Sequence, residues 1–480
     1  ERKLREGLIM GPTSQENTTT AARATLKTRH MSMIAMGGVI GAGLFVSTSS
    51  TIHIAGPAIL VAYMVDGLLV FLLMRMLGEL SLNGNAQGNF VHHIRRVFGP
   101  FMAFMVGWSY WLYWIVTATV EAVAAATILA PITHLSPVTV VVVCVVVMTL
   151  TNLVSVRSFG EAEFWLSCIK ITTIIAFMVV GTIFLVIGYR GTSITHLWRH
   201  GGFSPHGWRD VAAILPAVMF TFAGAEIATV AACETDDPSR SVMVAVKTVA
   251  LRILVFYVGA LFFVLCMLQW DKIDLNSSPF LQSLGHIGIN GLTGIMTAVV
   301  CSAVLSSLNS SIYVTSRVLA DLSVHGEGPS QWRRHWRGVP VAAVLAGGVS
   351  TLVFSVIAVG FNVSFLYFLI NASGAVLLFN YLVIALAHIS QRNSLQREGQ
   401  KISLHVWLFP YLSWSVVAAV LIIFIMMALS PSTRVQILCS TVTLAVLALF
   451  GGLNIRHRHK RTQSSPSLVQ AQGIPPEHAI

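Results

Sequence analysis

Four glycines crowd one apolar stretch, residues 31–53, and they constrain the fold more than any other feature of the sequence. Gly37, Gly38, Gly41 and Gly43 occupy the middle of MSMIAMGGVIGAGLFVSTSSTIH, where a plain membrane helix would carry Leu or Ile. Glycine lowers helix stability and frees backbone groups. Inside a bilayer, such groups are tolerated only where protein buries them or where they line a polar cavity. The stretch therefore predicts a broken helix beside a binding site.

The composition is that of an integral membrane protein. Of 480 residues, 55% are hydrophobic and 10% are charged, whereas an ordinary soluble domain is about 25% charged. A membrane helix needs about 20 apolar residues, and runs of that size fill the chain between two polar tails, residues 1–30 and 455–480. We predict an all-α membrane protein with twelve transmembrane helices, near residues 31–53, 58–82, 101–130, 138–156, 160–189, 211–233, 244–269, 291–322, 340–360, 364–389, 406–429 and 434–454.

The distribution of charge predicts the orientation. Most of the 30 Lys and Arg residues fall in the two tails and in alternate connections on one side of the predicted membrane. This asymmetry is the positive-inside pattern. It places both termini in the cytoplasm and explains the net charge of +11 without a nucleic-acid partner. The polar N-terminal tail does not have the form of a cleavable signal peptide.

The motifs that would indicate a metal, a nucleotide or covalent catalysis do not occur in a plausible context. The six Cys are scattered singly, and neither they nor the 16 His show the spacing of a metal site. No Walker or nucleophile motif stands where its fold would require it. We therefore expect no cofactor and an ion gradient as the energy source.

The predicted sixth helix repeats the interruption of the first. Small residues interrupt its apolar run just before an acid, Glu226. Two interrupted segments about 180 residues apart are typical of transporters built from two inverted halves. We therefore predict a first five-helix repeat over 31–189, a second over 211–389, and two additional helices over 406–454.

The backbone at each break could bind a zwitterion. A free helix N-terminus favours a carboxylate, and a free C-terminus favours an ammonium group. The candidates are Gly41, Ala42 and Gly43 in the first helix and Phe222, Ala223 and Gly224 in the sixth, with Phe222 also able to close over a substrate. The alternative is that the small residues only allow close helix packing.

Few ionisable side chains lie at membrane depth, where a charge costs about 2.5–3.5 kcal/mol and commonly marks function. They are Glu121, Lys170, Glu226 and Asp66. Each could bind a substrate charge or carry a coupled proton. Each could instead form a structural ion pair or extend toward the membrane surface.

Two further pairs lie near the cytoplasmic end of the second predicted helix. Arg75 and Glu79 are one turn apart, which predicts an i,i+4 ion pair and leaves a gating role open. His92 and His93 follow in a connection, where contact with water or lipid headgroups is expected.

Several motifs together resemble the amino acid transporter branch of the amino acid, polyamine and organocation superfamily. They are LKTRHMSMIAMGGVIGAGLF, MRMLGEL, SVRSFGEAEFWLSCIK, GGFSPHGW, MFTFAGAEIATVAACETDDP and LNSSIYVTSR. Within that branch, IGAGLFV, GAEIATVAACETDDP and FLINASGAVLLFNYLVIA are most similar to the 4-aminobutyrate (GABA) permeases. The resemblance implies a leucine-transporter-like fold, a bacterial cytoplasmic membrane location and proton-coupled amino acid uptake.

The same resemblance implies roles for individual residues. The substrate motifs of the family match Ile40, Gly41, Ala42 and Gly43 in the first helix and Phe222, Ala223, Gly224 and Glu226 in the sixth. Lys170 matches a lysine that stands where sodium-coupled relatives bind an ion, and Glu121 matches an acid of the third helix. Asp66 and the two adjacent histidines depart from the family pattern.

The sequence thus predicts a secondary permease, not an enzyme, that imports GABA or a similar small amino acid with protons by alternating access. Proline, an aromatic amino acid or another neutral one stays open as the substrate, because backbone contacts recognise what all of them share. An amino-acid-binding membrane sensor and a membrane-embedded enzyme are the alternatives from other classes.

Overall fold

The structure is a computed structural model. It describes Met33 and residues 38–464, apart from residues 84–88, 223, 228–237, 276, 289, 362, 401, 403 and 432. The predicted N-terminal tail, Gly37 and Ala223 lie outside the described residues.

The described chain is helical, with one isolated β-bridge between Trp336 and Val339. Its α-helices are α1 (Ala42–Phe45), α2 (Thr48–Ala55), α3 (Ile59–Leu82), α4 (Phe90–Thr133), α5 (Pro137–Val154), α6 (Val156–Ile187), α7 (His196–Arg199), α8 (Trp208–Ala213), α9 (Leu215–Phe222), α10 (Pro238–Met267), α11 (Pro279–Ile287), α12 (Asn290–Val324), α13 (Val341–Val359), α14 (Val363–Arg397), α15 (Tyr411–Leu429) and α16 (Arg434–Ser464).

Nine helical segments among the described residues are long and apolar enough to cross a membrane. The prediction of an all-α membrane protein is therefore confirmed. Among the described residues, the first and sixth predicted helices contain short pieces, α1 with α2 and α8 with α9, and the backbone between or beside these pieces is interrupted. The last helix continues to Ser464, past its predicted end at residue 454.

Asn89 and Gly99 determine where two helical segments of α4 begin. Asn89 caps α4 by accepting hydrogen bonds from the backbone N–H groups of Val91 and His92, as an N-cap side chain does. Gly99 has a φ of +82° and interrupts α4 just before Pro100. A short leading helix is thereby separated from the part of α4 that crosses the bundle.

The helix bundle has two ends that are built differently. The end we call the basic end carries the connections near residues 83–89, 325–340 and 398–410. There Arg95 of α4 binds Glu327, which follows α12, through two hydrogen bonds of 2.5 and 2.8 Å. At the opposite end, the N–H of Ser193 donates to the carbonyl of Cys266 and the indole of Trp270 donates to the carbonyl of His200.

Helices α4 and α12 lie at the centre of the bundle and position the site. They pack against each other, and both contact α13 and α5. The outer helices expose large apolar side chains instead, among them Leu150 on α5 and Phe450 on α16. In a membrane protein such exposed apolar faces contact lipid.

Candidate substrate and proton site

The backbone is interrupted at two places that meet inside the bundle. The first break, residues 38–41, leads into α1, whose N-cap is Gly41. The second break, residues 224–226, follows α9. Gly224 has a φ of +109°, and a Cβ atom there would lie 3.0 Å from the carbonyl carbon and oxygen of Gly38. A side chain at Gly224 would therefore be strained and would separate the two breaks.

Glu121 of α4 binds directly to the first break. Its carboxylate accepts hydrogen bonds from the N–H of Ala42 at 2.9 and 3.1 Å and from the hydroxyl of Ser307 at 2.9 Å. A Cβ atom on Gly41 would lie 2.3 Å from the Glu121 carboxylate. This contact requires glycine at position 41. The predicted carboxylate-binding amide of Ala42 is thus occupied by a side chain of the protein itself.

Glu226 occupies the second break and is fully buried. Its carboxylate accepts hydrogen bonds from the N–H of Gly224 at 3.2 Å, from the hydroxyl of Tyr381 at 3.1 Å and from that of Tyr110 at 3.4 Å. Tyr110 belongs to α4 and Tyr381 to α14. Sequence reasoning identified the acid but missed both tyrosines, since a neutral aromatic residue in an apolar helix carries no distinctive signal.

An aromatic stack joins the two breaks. The ring of Phe222 lies 5.1 Å from that of Tyr257 and 5.6 Å from that of Tyr63, measured between centroids. The hydroxyl of Tyr257 donates to the carbonyl of Val39 at 2.9 Å and to that of Thr221 at 3.0 Å. One side chain of α10 thus satisfies a carbonyl of each broken helix. Tyr63 and Tyr257 were not predicted.

Lys170 of α6 lies in a buried polar cluster behind the first break. Its Nζ atom is 3.9 Å from a carboxylate oxygen of Glu163, and both side chains are fully buried. Glu163 also accepts a hydrogen bond of 2.5 Å from Ser306, the neighbour of the serine that binds Glu121. Sequence reasoning missed Glu163. Its spacing from Lys170 could have indicated it, because residues seven apart lie on one helix face.

Consecutive serines of α12 therefore connect the lysine cluster to the break. Ser306 binds Glu163 and Ser307 binds Glu121. Lys170 also interacts electrostatically with Glu121. The arrangement brings Glu121, Lys170 and the amide of Ala42 into one polar region, whereas Glu226 lies in the other break. Ile40 is buried in the first break, and Gly43 is buried in the first turn of α1.

A cavity of about 410 Å³ lies between the outer parts of the broken helices and α14 and α16. Its lining combines polar and aromatic groups, including Ser47, Thr51, Asp210, Phe368, Asn371 and Gln436. Cavities of roughly 300–1,000 Å³ accommodate small organic ligands. It lies beside α2, α8 and α9, near the end of the bundle opposite the basic end.

A family model described as amino acid permease matches residues 30–464. The chain belongs to the amino acid permease family. It is 40% identical to the gamma-aminobutyric acid permease of Bacillus subtilis, over 93% of this chain and 96% of that one. It is 33% identical to the aromatic amino acid transport protein AroP of Salmonella typhimurium, over 88% of this chain and 94% of that one. These relatives are transporters, so the protein is a permease and not an enzyme.

Among solved structures, the permease is similar to a manganese transporter of Eremococcus coleocola. The TM-score is 0.59 at 13% sequence identity, over 90% of this chain and 94% of that one. At this identity the similarity shows the fold alone, which is an all-helical transporter fold.

The predicted ion pair between Arg75 and Glu79 of the permease is wrong. Glu79 accepts a 2.6 Å hydrogen bond from Arg392 of α14 and a 2.7 Å bond from the N–H of Val406. Arg75 donates to the carbonyl of His405 and stacks on the ring of Trp407. Tertiary partners on α14 and the segment after it outcompete the local pairing.

The adjacent histidines lie on α4 and not in the connection that the sequence had predicted. His93 is 1% exposed, so the expected contact with water or headgroups is wrong for it. His92 is half-buried, and its ring lies 6.3 Å from that of His325, which follows α12. The histidines therefore sit in the contact between α4 and the connection after α12.

Proposed function

We propose that the permease imports a small amino acid, GABA in the first place, together with protons by alternating access. The observation that carries the proposal is the pair of hydrogen bonds between Glu121 and the N–H of Ala42. This amide is the donor that a substrate carboxylate would need at the first break. Substrate binding and the charge of Glu121 are therefore linked through one hydrogen-bond donor.

The link supplies a coupling mechanism. A substrate carboxylate that takes the Ala42 amide leaves Glu121 with the hydroxyl of Ser307. A buried carboxylate that loses a donor, with a second carboxylate beside it, favours its protonated form. Glu121 thus takes up a proton as the substrate binds, and both leave together when the site opens on the other side.

The second break binds the substrate's amine in this proposal. The carbonyl groups at the end of α9 carry the negative end of the helix dipole, and Glu226 adds a carboxylate beside them. Phe222, packed against Tyr63 and Tyr257, is positioned to close over the bound molecule. A zwitterion would then span the two breaks, with its carboxylate at Ala42 and its ammonium group near Glu226.

GABA is favoured as the substrate by the relative from Bacillus subtilis, whose name states that it is a GABA permease and which matches nearly the whole chain. An aromatic amino acid is the second candidate, because a relative of similar coverage is named as an aromatic amino acid transporter. Competition of GABA, proline, phenylalanine and other neutral amino acids against labelled GABA uptake separates them. Inhibition strongest with phenylalanine would assign the second candidate.

We also propose that the permease has twelve membrane helices, arranged as two inverted five-helix repeats and two additional helices, with both termini in the cytoplasm of a bacterial cell. The interrupted pieces α1 with α2 and α8 with α9, which open the two proposed repeats, support this arrangement. The clustering of basic residues at one end supports the orientation. Labelling a cysteine placed at Ser464 with an impermeant reagent tests it. Labelling from outside intact cells would contradict it.

Uptake into proteoliposomes under an imposed pH gradient tests the function. We expect labelled GABA to accumulate when the outside is acidic and the accumulation to collapse with a proton uncoupler. Accumulation that the uncoupler leaves unchanged would contradict proton coupling. Counterflow of labelled substrate without a gradient excludes a sensor, and recovery of chemically unchanged substrate excludes an enzyme.

Lys170 is proposed to assist the proton step, because it interacts with both Glu163 and Glu121. The substitution Lys170→Ala is expected to abolish gradient-driven accumulation while counterflow continues. Lys272→Ala, in an exposed turn at the opposite end, is the matched control and should behave as the wild type. Wild-type accumulation in Lys170→Ala would remove this lysine from the mechanism.

A further inference from the structure

Asp66 differs from the other buried acids of the bundle. It lies within α3, it is fully buried, and neither of its carboxyl oxygens has a hydrogen-bond partner among the residues that the structure describes. Glu121, Glu163 and Glu226, by contrast, each accept at least one hydrogen bond. A carboxylate anion without a donor is strongly disfavoured in an apolar interior. In this conformation Asp66 is therefore neutral and carries a proton.

The described residues around Asp66 supply no compensating charge. The residues one turn away on its own helix are Ala62, Tyr63, Leu69 and Val70, all buried. Tyr63 interacts electrostatically with Asp66 but is itself neutral at ordinary pH. Among the described side chains of the helices that pack against α3, no cation lies beside the Asp66 carboxyl group.

The helices that pack against α3 carry other titratable groups. Some of these lie farther along the bundle, and the side chains of the others are outside the described ones. His388 and Arg392 of α14 bind Glu79, which is about 20 Å along α3 from Asp66 at 1.5 Å per residue. Tyr257 of α10 donates its hydroxyl to two carbonyls at the breaks. Lys247 and Arg252 are the cations of α10, and their side chains are outside the described ones.

The aromatic stack of the second break covers the helix face beside Asp66. A Cβ atom on the next residue, Gly67, would lie 3.3 Å from the ring of Phe222 and 2.3 Å from Leu254. Tyr63, one turn before Asp66, packs on the same Phe222 ring. A movement of the second break that displaces Phe222 would therefore loosen the packing that keeps water from Asp66.

We propose that Asp66 is a proton-exchanging residue of the transport cycle. It holds a proton while Phe222 is packed against Tyr63 and Gly67, and it transfers that proton to water when this packing opens. The step breaks and forms one O–H bond and needs no other reactant. The exchange during transport rests on the proposed proton-coupled function, whereas the protonated state of Asp66 does not.

Infrared difference spectroscopy on the purified permease tests the protonated state independently of transport. The C=O stretch of a protonated carboxyl group should be present in the wild type and lost in Asp66→Asn. Gly285→Ala in α11 is the control, because it changes no carboxyl group and its Cβ atom would meet nothing within 4 Å. Identical protonated-carboxyl bands in Asp66→Asn and the wild type would overturn the proposal.

Transport measurements test the proton exchange at Asp66. A pH difference of one unit across the membrane can support a substrate concentration ratio of about ten for each proton transported. Asp66→Asn should therefore lower gradient-driven accumulation about ten-fold per unit of imposed pH difference. Counterflow should be retained. Accumulation equal to the wild type at every gradient would overturn the proposal. A wild type that ignores the gradient would refute the proposed function and leave the infrared result to decide the state of Asp66.

A second variant covers the case in which Asp66→Asn does not fold. Asp66→Leu replaces the carboxyl group by an apolar side chain of similar size, which suits the buried position. Size-exclusion chromatography establishes folding of each variant before transport is measured. A folded Asp66→Leu protein that accumulates substrate like the wild type would show that the carboxyl group has no part in the cycle.

Discussion

The acids at the basic end of the permease and the acids at the two breaks are stabilised in different ways. Glu79 lies against α14, with Arg392 at 2.6 Å and His388 at 3.2 Å. Glu327 is held by Arg95. At the breaks, Glu121 and Glu226 instead accept hydrogen bonds from backbone amides and from hydroxyl groups.

The difference teaches which acids can change charge during a cycle. A carboxylate paired with a buried cation is fixed as an anion, because protonating it would leave the cation uncompensated. A carboxylate held by amides and hydroxyls can accept a proton and keep part of its hydrogen bonding. The basic end is therefore a structural connection between helices, whereas the acids at the breaks are able to change charge.

Removing the ion pair of Glu79 at the basic end should have the largest effect on stability. Removing one partner of a buried ion pair costs about 3–5 kcal/mol, so Glu79→Ala should strongly lower thermal stability of the purified permease. The control is Glu398→Ala at the exposed end of the connection after α14, with little expected change. Equal melting temperatures of the two variants would contradict the distinction between the two regions.

A methyl group at the first break should have the next largest effect. The Cβ of Gly41→Ala would lie 2.3 Å from Glu121 and 2.6 Å from Ser307, and overpacking of this kind costs about 1–3 kcal/mol. Because the displaced group is Glu121, uptake should fall to background. The matched control is Gly285→Ala in α11, where a Cβ meets nothing within 4 Å. Normal uptake by Gly41→Ala would mean that Glu121 need not contact the break.

The positions of the two breaks could be predicted from the sequence, but the groups that satisfy them could not. Gly41 and Gly224 are recognisable because glycine has few other reasons to interrupt an apolar helix. Tyr257 and Tyr381 act through hydroxyl groups placed by distant helices, and sequence spacing carries no such information. The pairing of Arg75 with Glu79 failed for the same reason, since partners from α14 decide it.

Removing one neutral donor from the second break should have the smallest effect. A single hydrogen bond contributes about 0.5–1.5 kcal/mol, so Tyr381→Phe should weaken substrate affinity modestly and leave the protein folded. Tyr110→Phe should do less, because its hydroxyl lies 3.4 Å from Glu226 against 3.1 Å for Tyr381. Substrate titrations of uptake measure both. A larger loss in Tyr110→Phe would reverse the ranking of these donors.

Proton uptake on substrate binding tests most directly the claim that Glu121 and the substrate compete for one amide. The purified permease in weakly buffered solution is mixed with GABA, or with the amino acid that competition identifies, and the pH change is followed. The account predicts that the wild type takes up protons as it binds and that Glu121→Gln binds without taking them up. Binding by the wild type with no proton uptake, or equal uptake by Glu121→Gln, would contradict it.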